Sequence, residues 1–125
     1  MRLLLDTHVL ISWLATPDSI QKSTFESIAD RENIVHVSAL SIVEIAMNVE
    51  QGTLKLPADY LDDLGNDEFH SLSITFEHAR QFAQLSSAPL NFFDRMIIAQ
   101  AQVEKLTIVT GNRQVSQYDV SVLRP

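Results

Sequence analysis

Asp6, Glu44 and Asp94 each fall just past a point where an apolar strand or a polar loop gives way to a helical pattern. In an open α/β sheet, ligands bind outside the carboxyl ends of the parallel strands. Acids brought there from remote parts of the chain make an all-oxygen site suited to a hard divalent cation. A metal-dependent enzyme is the chemistry to which this pattern points.

Each acid also has a structural role open to it. Asp6 follows Leu3-Leu4-Leu5 and is a favoured type for a helix N-cap. Ser41-Ile42-Val43-Glu44 matches a capping box, and Ser41, Glu44 and Asn48 form one polar helical stripe. Asn91 is a natural N-cap that places Asp94 in a first helical turn, where a carboxylate suits the macrodipole. Asp94, however, heads a stripe of Ile97, Ile98 and Ala101 that must be buried. A carboxylate in that place costs free energy unless it is paired or metal-bound. Asn112, in the turn Thr110-Gly111-Asn112, offers an amide oxygen as a fourth candidate ligand. Thr7 and Thr110 offer hydroxyls that support the ligands.

The elements that must position these residues alternate along the chain. Strands are expected at 3–5, 34–37, 69–73, 106–109 and 120–123, from short apolar or β-branched runs. Helices are expected after Asp6 to about Thr16, then over 18–30, 39–50, 57–64, 76–85 and 92–104. Pro57 suits a first helical turn, Gly52 a C-terminal cap, and 86–91 a loop containing Pro89. Strand–helix alternation means a largely parallel sheet with helices on both faces and right-handed crossovers. The expected architecture is one α/β domain over 1–125.

The 125 residues and 46% apolar share suffice for a hydrophobic core. The absence of cysteine excludes disulfides, thiolate zinc sites and a cysteine nucleophile, and fits a reducing cytoplasm. No apolar run approaches the roughly 18 residues of a membrane span. Met1 to Leu5 have the look of a leader, but Asp6 and His8 interrupt the run at once, so the chain reads as soluble and unprocessed. A net charge of −7 argues against passive binding to nucleic acid, which depends on Lys and Arg. It leaves open an enzyme that attracts phosphate through a metal ion.

Leu3-Leu4-Leu5-Asp6-Thr7-His8-Val9-Leu10, Val37 to Ala46 around Glu44, and Phe92-Phe93-Asp94-Arg95-Met96-Ile97-Ile98-Ala99-Gln100-Ala101 resemble the PIN-domain family. The likeness is greatest to its VapC-like branch, the ribonuclease toxins of toxin–antitoxin pairs, and it covers nearly the whole chain. It implies a three-layer α/β/α sandwich around a parallel sheet. It implies Mg²⁺- or Mn²⁺-dependent hydrolysis of RNA, with Asp6, Glu44 and Asp94 as the acidic constellation. A cognate antitoxin and a homodimer are the partners it implies. Asn112 falls where many relatives carry Asp and others Asn, and Asn91-Phe92 stand in place of a frequent Asp-Pro.

Two rivals remain open: a catalytically weak PIN-like module acting through binding, and a phosphatase with Asp6 as nucleophile. The second is disfavoured because His8 stands where such enzymes carry another Asp. The lack of a Gly-rich phosphate loop argues against an NTPase. His8 reads as a structural histidine, while His36, His70 and His78 have no metal-ligand spacing. Arg95 reads as the partner of an acid rather than of substrate phosphate. Asp62, Asp63, Asp67 and Glu68 read as a solvated run. Trp13, Phe25, Phe76, Phe82 and Phe93 read as core or interface anchors rather than base-stacking platforms.

Overall fold

Leu3, Leu4 and Leu5 are wholly buried, as a strand covered on both faces requires. They belong to β1 (Arg2–Leu5), the middle strand of the sheet in the computed structural model, which describes residues 1–66, 68–86 and 90–125. The other strands are β2 (Ile34–Ser38), β3 (His70–Leu72), β4 (Thr107–Val109) and β5 (Val122–Leu123). All pair in parallel, in the order β3-β2-β1-β4-β5. Leu5 lies opposite Val37 on one side and Val109 on the other, so the carboxyl ends of the three central strands finish level.

The helices are α1 (Thr7–Ala15), α2 (Lys22–Ala29), α3 (Ala39–Glu50), α4 (Tyr60–Asn66), α5 (Phe76–Gln84) and α6 (Phe92–Glu104). The strand period of two divides the core into two clusters. Leu3, Leu5, Val35, Val37 and Val109 pack against Val9, Leu10, Ile28 and Ile45 from the first three helices. Leu4 and Ile108 face the other way, onto Ile97, Ile98 and Ala101 of α6. Truncating Leu4 to Ala in such a site would cost about 2–5 kcal/mol. The expected three-layer sandwich is therefore present, with a sheet that is wholly parallel.

Several expected bounds are corrected. The helix expected over 18–30 is broken into a 3₁₀ turn, Pro17–Ser19, and α2. Buried Ile20 takes an extended backbone between them, so core burial outweighs helical continuity. Pro57 does not open α4; it accepts from the Tyr60 amide at 3.1 Å in a preceding turn. The helix expected to end at 85 ends at Gln84. The strands expected at 69–73, 106–109 and 120–123 are trimmed to β3, β4 and β5, while α6 has its expected bounds. Gly52 ends α3 with φ of 76°, the left-handed cap anticipated for it. A second 3₁₀ turn, Arg113–Gln117, was not anticipated. Asp67 of the acidic run and Pro89 of the expected loop lie outside the described residues.

Candidate active site

Asp6 is fixed by its position between β1 and α1. Its backbone amide donates to Val109 O at 3.1 Å, continuing the β1–β4 pairing, and its Oδ1 accepts from the Val9 amide at 2.7 Å. It is thus the N-cap expected of it, and it is only 7% exposed. Burial pushes its carboxyl above the usual range, against hydrogen bonds from the Thr110 hydroxyl and the amides of Val9 and His8. Thr110 is fully buried, and its hydroxyl oxygen accepts from the Asn112 amide at 3.1 Å. Strand end, carboxylate and following turn are therefore joined in one chain of bonds.

Glu44 arrives from α3, and the capping box expected for it is absent. The N-cap is Ser38, whose side chain accepts from the Leu40 amide, so Ser41 lies inside the first turn and Glu44 in the second. Ser41 is buried and accepts from the Thr7 hydroxyl at 3.1 Å, which locks the start of α3 to the start of α1. The polar stripe of Ser41, Glu44 and Asn48 is thus an interior seam at its first member. Glu44 is half-buried, and among the described residues its carboxylate has no hydrogen bond or ion pair.

Asp94 sits in the first turn of α6, as expected. Asn91 caps the helix by accepting from the Asp94 amide at 3.0 Å, so the Asp94 carboxylate itself is not needed for capping. Burial first, then the charges of Asp6 and Glu44, push its carboxyl above the usual range, with His8 pulling the other way. Asp94 on α6 therefore lies within electrostatic reach of both Asp6, just past β1, and Glu44 on α3. Arg95 is not among the groups acting on Asp94.

Asn112 is spatially linked to this end of the sheet through Thr110, but its Oδ1 accepts from the Gln114 amide at 3.0 Å and caps the second 3₁₀ turn. Its oxygen is engaged in structure. His8 is exposed, and its charge bears on both Asp6 and Asp94, which corrects its reading as a structural histidine. Ser41 was missed as a support for the site. The only sequence signal for it was a small hydroxyl residue one helical turn before Glu44.

Among the described residues, no three His, Asp or Glu side chains already stand close enough together to hold a metal ion. The donor chemistry nonetheless fits a hard divalent cation. Asp94 feels the charges of two other carboxylates, and Lys or Arg forms no ion pair with any of the three among the described residues. Those residues also contain no helix long and apolar enough to cross a membrane.

A family model for the PIN domain matches residues 3–121. A comparison with curated proteins gives no significant sequence match. Among solved structures, VapBC2 from Rickettsia felis bound to a promoter DNA fragment is similar at TM-score 0.80 and 15% identity, covering 99% of this chain and 98% of that one. DNA-bound VapBC from Salmonella typhimurium is similar at TM-score 0.76 and 17% identity, with 99% and 98% covered. FitAcB from Neisseria gonorrhoeae is similar at TM-score 0.63 and 23% identity, with 97% and 96% covered.

Proposed function

The chain belongs to the PIN-domain family, whose members are generally nucleases, and on that premise we propose that it is a VapC-like toxin with metal-dependent endoribonuclease activity. The observation that carries this reading is that the half-buried Asp94 carboxylate lies within electrostatic reach of both Asp6 and Glu44 at a sheet edge. Such an arrangement is unfavourable for stability and favourable for binding a cation.

Asp6, Glu44 and Asp94 would hold the ion, Mg²⁺ or Mn²⁺. When bound, it supplies Lewis-acid charge at the phosphodiester. Asp6 is oriented by the Thr110 hydroxyl and the Val9 amide, so it acts as the rigid member of the set. Asp94 and Glu44 carry no competing hydrogen bond from their carboxylates among the described residues. Asp94 and Glu44 are the two carboxylates available to accept the proton of an attacking water. Thr7 and Ser41 keep α1 and α3 in step, and so hold Asp6 and Glu44 in step. Asn112 serves as a turn cap and contributes no charge.

RNA as substrate, a cognate antitoxin, a homodimeric state and a cytoplasmic location complete the proposal. The toxin–antitoxin complexes among the similar structures support the antitoxin partner. The test is cleavage of tRNA and rRNA with Mg²⁺ or Mn²⁺, against EDTA, Asp6→Asn and Asp94→Asn. Cleavage that survives EDTA or either substitution would sink the metal-dependent mechanism. A weak or inactive PIN-like module acting through protein or RNA binding is the second reading, favoured by the engaged, neutral Asn112. A Mn²⁺ titration that finds no binding would select it.

A further inference from the structure

The first turn of α6 presents a second set of groups besides Asp94. Phe92 and Arg95, three residues apart, share one helical face. The Arg95 guanidinium carbon lies 4.3 Å from the centre of the Phe82 ring on α5. Phe92 meets the same ring edge-on, at 5.4 Å and 81°, and touches Phe93 at 5.2 Å. The Phe92 ring is thus held from two sides and is still 48% exposed.

Arg95 was expected to pair with an acid, and it does not. Among the described residues its side chain makes no ion pair and no hydrogen bond, and its Nε is buried without a partner. Its charge does not act on Asp94, its neighbour in sequence. A guanidinium has five donors in a planar fork matched to phosphate oxygens. In a chain of net charge −7, this one is held over an aromatic ring with no hydrogen bond or ion pair among the described residues.

We infer that Phe92 and Arg95, assembled on Phe82, form a subsite for one nucleotide of the substrate strand. Arg95 takes a backbone phosphate, and the open face of Phe92 stacks an unpaired base. The substrate class rests on the nuclease reading above, and the geometry adds the requirement for a single-stranded nucleotide at that position. Stacking on an aromatic ring is tolerant of base identity, so the subsite grips without selecting sequence.

The test uses the full chain in EDTA, where binding is read without cleavage. The probes are a fluorescein-labelled single-stranded oligoribonucleotide of mixed sequence and a same-length strand of abasic residues. The wild type should prefer the base-bearing strand by about tenfold, and Phe92→Leu should remove that preference while Phe92→Trp keeps it. Arg95→Gln should weaken both strands alike and lower the salt slope of log K by about 0.7, the value for one lost phosphate contact, and Arg95→Lys should restore the slope. Thermal unfolding of each variant checks that it is folded. The inference is overturned if Phe92→Leu keeps the preference, or if Arg95→Gln keeps the slope. A drop in molecular mass for Phe92→Leu with unchanged RNA binding would assign the face to a contact between copies of the chain instead. Failure of wild-type cleavage with Mn²⁺ sinks the nuclease reading and leaves this binding result standing. Normal cleavage with unaltered binding in both variants sinks the subsite alone.

Discussion

At its C-terminal end α6 is tied down by several hydrogen bonds, although His78 Nε2 and, a turn earlier, Gln100 Oε1 have no hydrogen-bond partner among the described residues. Arg2 Nη1 donates to Glu104 O at 2.9 Å, and Gln102 accepts from Gln81 at 2.6 Å while donating to Asp119 O at 3.2 Å. His78, 1% exposed, accepts the Thr75 amide at Nδ1 in a capping box and turns Nε2 towards Glu104 at 3.5 Å. At the N-terminal end of the same helix, Asp94 faces two like charges and Arg95 has no acid partner among the described residues. Lys105 closes the paired end in the left-handed conformation, φ 57°, a modest strain that the surrounding bonds hold. One helix thus carries a structural end and, on the proposed function, a reactive end. What separates them is charge: the C-terminal end is held by hydrogen bonds, while the N-terminal end gathers like charges and an arginine with no acid partner among the described residues.

The sharpest way to break this contrast is to alter the reactive end. Asp94→Asn should lower RNA cleavage by a factor on the order of 10²–10⁴ with little loss of folding, measured as single-turnover rates beside thermal unfolding. A cleavage rate within a few-fold of wild type would remove Asp94 from the chemistry. At the paired end the effect should invert. His78→Ala strips a buried cap and ring, so it should cost about 2–4 kcal/mol in urea unfolding while the rate per folded molecule persists. Loss of rate without loss of stability would show the two ends to be one functional unit.

Smaller effects sharpen the comparison. Thr110→Val removes a donor to Asp6, a bond worth about 1 kcal/mol, so cleavage should fall about fivefold. The least effect concerns pH. The Asp94 carboxyl is raised in the folded chain, so its ionised form destabilises the fold above the folded value, and protonation relieves that cost as pH falls. In the metal-free protein Asp94→Asn should therefore raise Tm at neutral pH. The gap should close as pH falls through the carboxylate range, and added Mn²⁺ should reverse its sign by stabilising only the wild type. A gap independent of pH would mean that the substitution acts through packing.

Legibility in sequence followed the same division. The buried triplet Leu3–Leu5, the Asp6 and Asn91 caps and the full extent of α6 were readable because local propensity and core burial agree there. The bounds around Ile20 and Pro57 were not, since one buried side chain or one turn bond overrode a helical pattern. Ser41 looked like a cap because its spacing to Glu44 is right. Its contact with Thr7, 34 residues away, is a tertiary fact with no local signature. Arg95 looked like a salt-bridge partner because Asp94 adjoins it, yet neighbours on a helix point in different directions.

Because β1 lies between β2 and β4, the first strand made during synthesis is among the last to be enclosed. Asp6 gains its partners at Val109 and Thr110 only when residues more than 100 positions later have emerged. A nascent chain that already contains Asp6, Glu44 and Asp94 still lacks the strand that seats the first of them. The order of the strands therefore sets the order of assembly: the acids are made first, and the site closes only once β4 is in place.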